Sequence, residues 1–158
     1  MTPVMETLAD HMLQIPHARA LGMHMLSMDG SGCIVRIPYA AHLVGDPDTG
    51  IIHGGVISAL LDNTCGMAVR VNSDGAAEGA FATLDLRIDY FRGALPGRDI
   101  FAFAQRRKLT RNIAFVHGVA YETSVDDPIA TCVATFMLGT TQLRASGAAG
   151  ADGAGGAR

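Results

Sequence analysis

The chain has no apolar run that reaches the roughly 18 to 20 residues a bilayer span requires, so no transmembrane helix is expected. It has no basic N-terminal region followed by an apolar block, and so no sign of a secretory signal. It also lacks a disulfide framework. Cys33, Cys65 and Cys132 are odd in number, widely spaced and each set in an apolar segment, which reads as reduced core thiols and not as a metal site. Positive charge is scarce too: the formal net charge of −3 gives no support to nucleic-acid binding. The expectation is a cytoplasmic protein with neither nucleic-acid nor membrane partners.

What is present suits one compact domain. The 158 residues are 49% hydrophobic, enough for a sizeable core over residues 1–144. Residues 145–158 hold no large apolar side chain and read as a disordered Gly/Ala-rich tail. Near the start, residues 3–14 carry Val4, Leu8, Met12 and Leu13 at helical spacing, and Ile15-Pro16 stops that helix. Leu21 to Met28 and Cys33 to Pro38 read as a hairpin turning at Asp29-Gly30-Ser31-Gly32. Tyr39 to Gly50 reads as a loop. After a polar connection from Asn72 to Gly79, the stretch Thr83 to Phe91 alternates. Leu84, Leu86, Ile88 and Tyr90 should face a central helix, with Thr83, Asp85, Arg87, Asp89 and Phe91 pointing away, toward a partner subunit. Asp99–Leu109, Ile113–Ser124 and Ile129–Leu138 complete five or six mostly antiparallel strands. One long helix with such strands predicts an α+β fold whose sheet wraps around the helix.

That helix belongs to the most informative stretch, Asp46 to Val71. On a 3.6-residue period, Ile57, Leu60, Leu61, Thr64 and Ala68 form the core stripe. A carboxylate, Asp62, lies on the neighbouring stripe among small residues: Ser58, Ala59, Cys65 and Gly66. An acid in so apolar a helix is either a satisfied core-edge group or a chemical one. Two glycines, Gly54 and Gly55, open the helix after His53. The first turn of a helix leaves backbone N–H groups unpaired and favours negative charge, and glycine lets a ligand approach them. Donors fixed there stabilise a carbonyl oxygen that becomes negative. A carboxylate two turns on is suited to attack that carbonyl or to activate water. Both halves of an acyl-transfer site then sit on one rigid element.

The stretch Thr49-Gly-Ile-Ile-His-Gly-Gly-Val-Ile-Ser-Ala-Leu-Leu-Asp62 resembles the motif of hotdog-fold acyl-CoA thioesterases, of the PaaI-like phenylacetate-pathway type. The resemblance runs from about residue 21 to residue 143. It implies a hotdog fold and hydrolysis of an acyl- or aryl-CoA thioester to free acid and CoA. It implies Asp62 as general base or nucleophile, Gly54 N–H as oxyanion donor, His53 as an orienting residue and Thr83 as a water-positioning one. Gly55, Ser58, Cys65 and Gly66 become candidate substrate contacts. Asp46 stands where family members often carry Asn or Gln, and an ionised acid has no hydrogen to donate. Arg106, Arg107, Lys108 and Arg111 gather at one hairpin. In this family such a region often meets CoA phosphates, which makes Arg106, Arg111 and Asn112 candidate contacts; the alternative is a solvated turn. No cofactor beyond the CoA of the substrate is implied, and the family implies a homodimer with shared sites, often paired into a homotetramer. The rival reading is a catalytically silent acyl-CoA-binding protein, which the missing Asn or Gln favours.

Overall fold

The computed structural model describes residues 14–70 and 80–140. The expected helix over 3–14 (all but its last residue), the 72–79 connection and the 145–158 tail lie outside them. Ile15 is extended, with φ −77° and ψ 112°, as the residue before a proline prefers. Pro16 then takes the first position of a short helix, α1 (Pro16–Ala20). Pro16, expected only as a stop, therefore starts a helix.

Six strands form one antiparallel sheet: β1 (His24–Asp29), β2 (Gly32–Ile37), β5 (Phe81–Tyr90), β6 (Ile100–Leu109), β7 (Ile113–Tyr121) and β8 (Pro128–Leu138). Their order is β1-β2-β6-β7-β8-β5. The segment expected as a loop holds a 3-10 turn, Ala41–Leu43, and β3 (Val44–Asp46), which pairs with β4 (Ile51–Ile52) just before the long helix α2 (Gly54–Val69).

Helix α2 lies across the sheet, packed on β6, β7 and β2. Its predicted core stripe is buried throughout: Ile57, Leu60, Leu61, Thr64 and Ala68 are each at most 2% exposed. Thr64 satisfies its hydroxyl on the Leu60 carbonyl one turn back. Small residues beneath the helix, Ala102, Ala104, Ala114 and Gly118, let it come close. Close approach is tightest at Gly118, where an added Cβ would stand 2.7 Å from Cys132 Sγ and 3.0 Å from Cys65 Sγ. Gly118→Ala therefore overpacks the core and should lower stability by about 1–3 kcal/mol in denaturant titration. An unchanged midpoint would show that the sulfurs have room to shift.

At β5 the expected alternation fails at one point. Thr83 pairs with Phe136 but Asp85 pairs with Thr135, so Leu84 is the extra residue of a β-bulge. The bulge shifts the phase of the strand. Before it, Phe81 and Thr83 face α2; after it, Leu86, Ile88 and Tyr90 do. Two expectations are corrected. Leu84 is 53% exposed and does not join the helix-facing set, and Thr83 points at the helix of its own chain, not away from it.

Candidate active site

The first turn of α2 is built by His53. Its Nδ1 accepts a hydrogen bond from Gly55 N–H at 2.9 Å, and its carbonyl accepts from Val56 N–H at 2.9 Å. A ring nitrogen here does the capping that Ser, Thr or Asp usually does. Because Nδ1 accepts, the proton of the neutral ring resides on Nε2. Gly55 must be glycine for this cap, since a Cβ there would stand 2.9 Å from Nδ1. The two glycines thus part company. Gly55 N–H is committed to His53, and Gly54 N–H is left without a protein partner among the described residues. A Cβ at Gly54 would meet nothing closer than Tyr90 Cε1 at 4.0 Å, so the space beside this amide is open.

Gly54, Ser58 and Asp62 follow one another at four-residue spacing along the open stripe of α2. Strand β5 meets this stripe twice. Thr83 Oγ1 donates to Asp62 Oδ1 at 3.0 Å, while Oδ2 has no partner among the described residues. Tyr90 OH lies 2.7 Å from Ser58 Oγ, and both hydroxyls reach the Gly54 carbonyl, at 3.0 and 3.2 Å. The Tyr90 ring is 48% exposed although its hydroxyl is tied down. Tyr90 was read only as a helix-facing core residue. A polar-tipped aromatic ending an otherwise aliphatic face was the available signal for its second role.

Six candidate contacts fare differently. Cys65 is fully buried, with its sulfur 3.5 Å from Cys132 Sγ. That contact, then burial, pushes its thiol well above the usual range, so it is neither pocket lining nor a nucleophile. Gly66 is buried under Phe81, which an added Cβ would meet at 3.3 Å, and it does not face the open stripe. Arg106 donates from Nη1 to the Val69 carbonyl at 2.8 Å, capping the C-terminal end of α2. Arg111 and Asn112 remain exposed at the β6–β7 turn. Asp46 is also exposed. Its carboxylate accepts from Thr49 Oγ1 at 2.7 Å and Asp48 N–H at 3.1 Å. Chiefly the Thr49 hydroxyl holds it below the usual carboxylate range, so at neutral pH it is an acceptor that shapes the turn before β4.

Both halves of the expected site sit on α2, as read from the sequence, but they stand far apart along it. Eight residues separate Gly54 from Asp62, about 12 Å along the axis at 1.5 Å per residue. A carbonyl held by Gly54 N–H places its carbon about 4 Å from that nitrogen, and an attacking oxygen stands about 3–3.5 Å beyond. For direct attack by the carboxylate these lengths, about 7.5 Å, fall short of the separation; a water held by Asp62 would add about 2.8 Å to the reach.

One long helix packed on a six-stranded antiparallel sheet, opened by a His-Gly-Gly turn, defines a hotdog protein of the α+β class. Comparisons with known proteins agree. Residues 49–126 match the family described as the thioesterase superfamily. A crystal structure of a Pseudomonas aeruginosa protein superposes with a TM-score of 0.77 at 35% identity, covering 85% of this chain and 98% of that one. A mutant form of the phenylacetic acid degradation protein PaaI of Thermus thermophilus superposes with a TM-score of 0.65 at 27% identity, covering 78% and 98%. The medium/long-chain acyl-CoA thioesterase YigI of Escherichia coli K12 is 28% identical over 137 residues, 79% of this chain and 86% of that one. A Halobacterium salinarum protein named as an esterase is 38% identical over 61 residues, only 40% of its length. The chain belongs to the thioesterase superfamily, in its PaaI-like branch, and is a thioester hydrolase. Among the described residues, no helix is long and apolar enough to cross a membrane.

Proposed function

We propose that the protein hydrolyses acyl-CoA thioesters at a site shared between two copies of the chain. The observation that carries this is the pair of unspent groups on one open stripe: Gly54 N–H, and the free oxygen of Asp62 about 12 Å further along. Each is half of an acyl-transfer site, and direct attack by Asp62 on a carbonyl held at Gly54 of the same chain falls short of that separation. Two α2 helices side by side and antiparallel about a two-fold axis bring Gly54 of one copy to Asp62 of the partner subunit, and the reverse.

In this reading Gly54 N–H holds the thioester oxygen, and the positive end of α2 stabilises it as charge develops. Asp62 acts as general base on water, or attacks the carbonyl carbon itself to give an anhydride that water then opens. Thr83 keeps the carboxylate aimed by occupying Oδ1 and leaving Oδ2 for the reaction. His53 orients the turn through its Nδ1. Arg111 and Asn112 are the proposed phosphate contacts, since Arg106 is engaged at the end of α2. The reading asks for no metal or redox cofactor.

The test is complementation, read as thiol release from acyl-CoA. Asp62→Asn and Gly54→Pro homodimers should each be nearly inactive. Unfolded and refolded together, they should recover about a quarter of wild-type activity, because half the dimers are mixed and each mixed dimer holds one complete site. No recovery would place both groups in one chain's site and overturn the sharing. A wild type that binds acyl-CoA and releases no thiol would instead be the silent binding protein.

A further inference from the structure

Strand β5 touches the open stripe of α2 at two points seven residues apart, Thr83 on Asp62 and Tyr90 on Gly54. In a regular strand, residues seven apart point to opposite faces. The bulge at Leu84 cancels that alternation and puts both side chains on the helix side of the sheet. Thr83 has a part in the chemistry above, and Tyr90 has none. Yet the Tyr90 hydroxyl lies 2.7 Å from Ser58 Oγ and 3.0 Å from the Gly54 carbonyl oxygen, which Ser58 Oγ reaches at 3.2 Å. Two hydroxyl hydrogens serve these three contacts. The assignment with the shortest bonds is a relay, Ser58 donating to Tyr90 and Tyr90 to the carbonyl.

We infer that Tyr90 is a positioning residue for the oxyanion donor: its hydroxyl fixes the glycine turn from which Gly54 N–H projects. The inference rests on the reading of Gly54 N–H as that donor. Gly54 C=O and Gly55 N–H are the two polar ends of one peptide plane. Tyr90 holds the carbonyl end, and His53 Nδ1 accepts from the N–H end at 2.9 Å. The plane before it carries Gly54 N–H, and its carbonyl, that of His53, accepts from Val56 N–H at 2.9 Å. Both planes of the turn are thus pinned, with Gly54 N–H left to spare. The restraint matters because glycine has the widest φ/ψ freedom, and two in succession would let the donor swing. An oxyanion donor works by being aimed before the reaction, and a misplacement of about 1 Å costs on the order of 10²-fold in rate. The hold comes from a firm support, since Tyr90 is still paired with Ala130 of β8. On this chain the Tyr90 ring is 48% exposed, so the hydroxyl, more than packing, sets the place of the side chain.

The experiment is a double-mutant cycle of Tyr90→Phe with Gly54→Pro, read as thiol release from acyl-CoA. Phenylalanine keeps the ring and removes the hydroxyl. Alone, it should lower kcat by about ten-fold, with KM within about two-fold and the melting temperature within about 2 °C of wild type. In the Gly54→Pro background the N–H is gone and Tyr90 has no donor to aim. There Tyr90→Phe should cost less than about two-fold more. Losses that simply multiply would show that Tyr90 acts elsewhere and overturn the inference. An unchanged kcat would overturn it too, as would a KM raised in both backgrounds, the mark of a substrate contact. Hydrogen exchange of the Gly55 amide, followed by NMR without substrate, separates this from the thioesterase reading. It should quicken by about five-fold or more in Tyr90→Phe, because the other end of that peptide is released. A wild type that releases no thiol ends the thioesterase reading. Faster exchange in the variant then still supports the hold on the turn, and unchanged exchange overturns it.

Discussion

Asp62→Asn should lower kcat for acyl-CoA hydrolysis by about 10²- to 10⁴-fold, the span that separates a positioned base from none. The substitution is nearly isosteric. The amide oxygen can still accept from Thr83 at the 3.0 Å position that Oδ1 now holds. What disappears is the negative charge, and with it the ability to take a proton or to attack a carbonyl carbon. Asp62 is only half-buried, and its replacement leaves the core stripe of α2 intact, so the melting temperature should stay within about 2 °C of wild type. Affinity for acyl-CoA should hold as well, because Gly54 N–H and the hairpin are untouched. Thiol release at several substrate concentrations checks all of this through the separation of kcat from KM. A variant with wild-type kcat would remove Asp62 from the mechanism. A variant with raised KM and unchanged kcat would make it a substrate contact only.

The sequence carried Asp62 and Gly54 because their signals are local. A lone acid among apolar residues and a Gly-Gly at a helix start are visible from spacing. The core stripe Ile57 to Ala68 was legible for the same reason, since the period of a helix does not depend on what packs against it. Thr83 was misplaced because one inserted residue, Leu84, reverses the facing of every position beyond it. Nothing in Thr83-Leu84-Asp85 announces a bulge; only pairing with Phe136 and Thr135 creates it. Cys65 and Gly66 were misread because the wheel gives a direction but not a depth. Near the C-terminal half of α2 even the side facing Asp62 is covered, by Phe81, Phe136 and Cys132. Arg106 was grouped with its charged neighbours, and its engagement with Val69 is a long-range contact with no trace in spacing.

Gly54→Pro should lower kcat by about 10²- to 10³-fold, the cost of deleting one oxyanion donor. Little else is disturbed by the change. Gly54 is the first helical residue, a position where proline is favoured because its missing N–H would have no intrahelical partner. A proline restricts the residue before it to extended backbone, and His53 already has φ −61° and ψ 132°. The Cβ of the ring has room, since the nearest side-chain atom to an added Cβ is Tyr90 Cε1 at 4.0 Å. The His53 cap uses Gly55 and Val56 and survives, as do the hydroxyl contacts to the Gly54 carbonyl. Gly54→Ala serves as the companion variant: it adds a Cβ in the same open space and keeps the N–H. If Gly54 N–H holds the developing oxyanion, Ala retains kcat within about ten-fold while Pro loses it, with similar affinity for acyl-CoA in both. Equal losses in the two variants would mean that bulk beside Tyr90, and not the missing hydrogen, causes the defect. Full activity in Gly54→Pro would send the search for the donor to His53, whose Nε2–H is the next hydrogen available at this end of the helix.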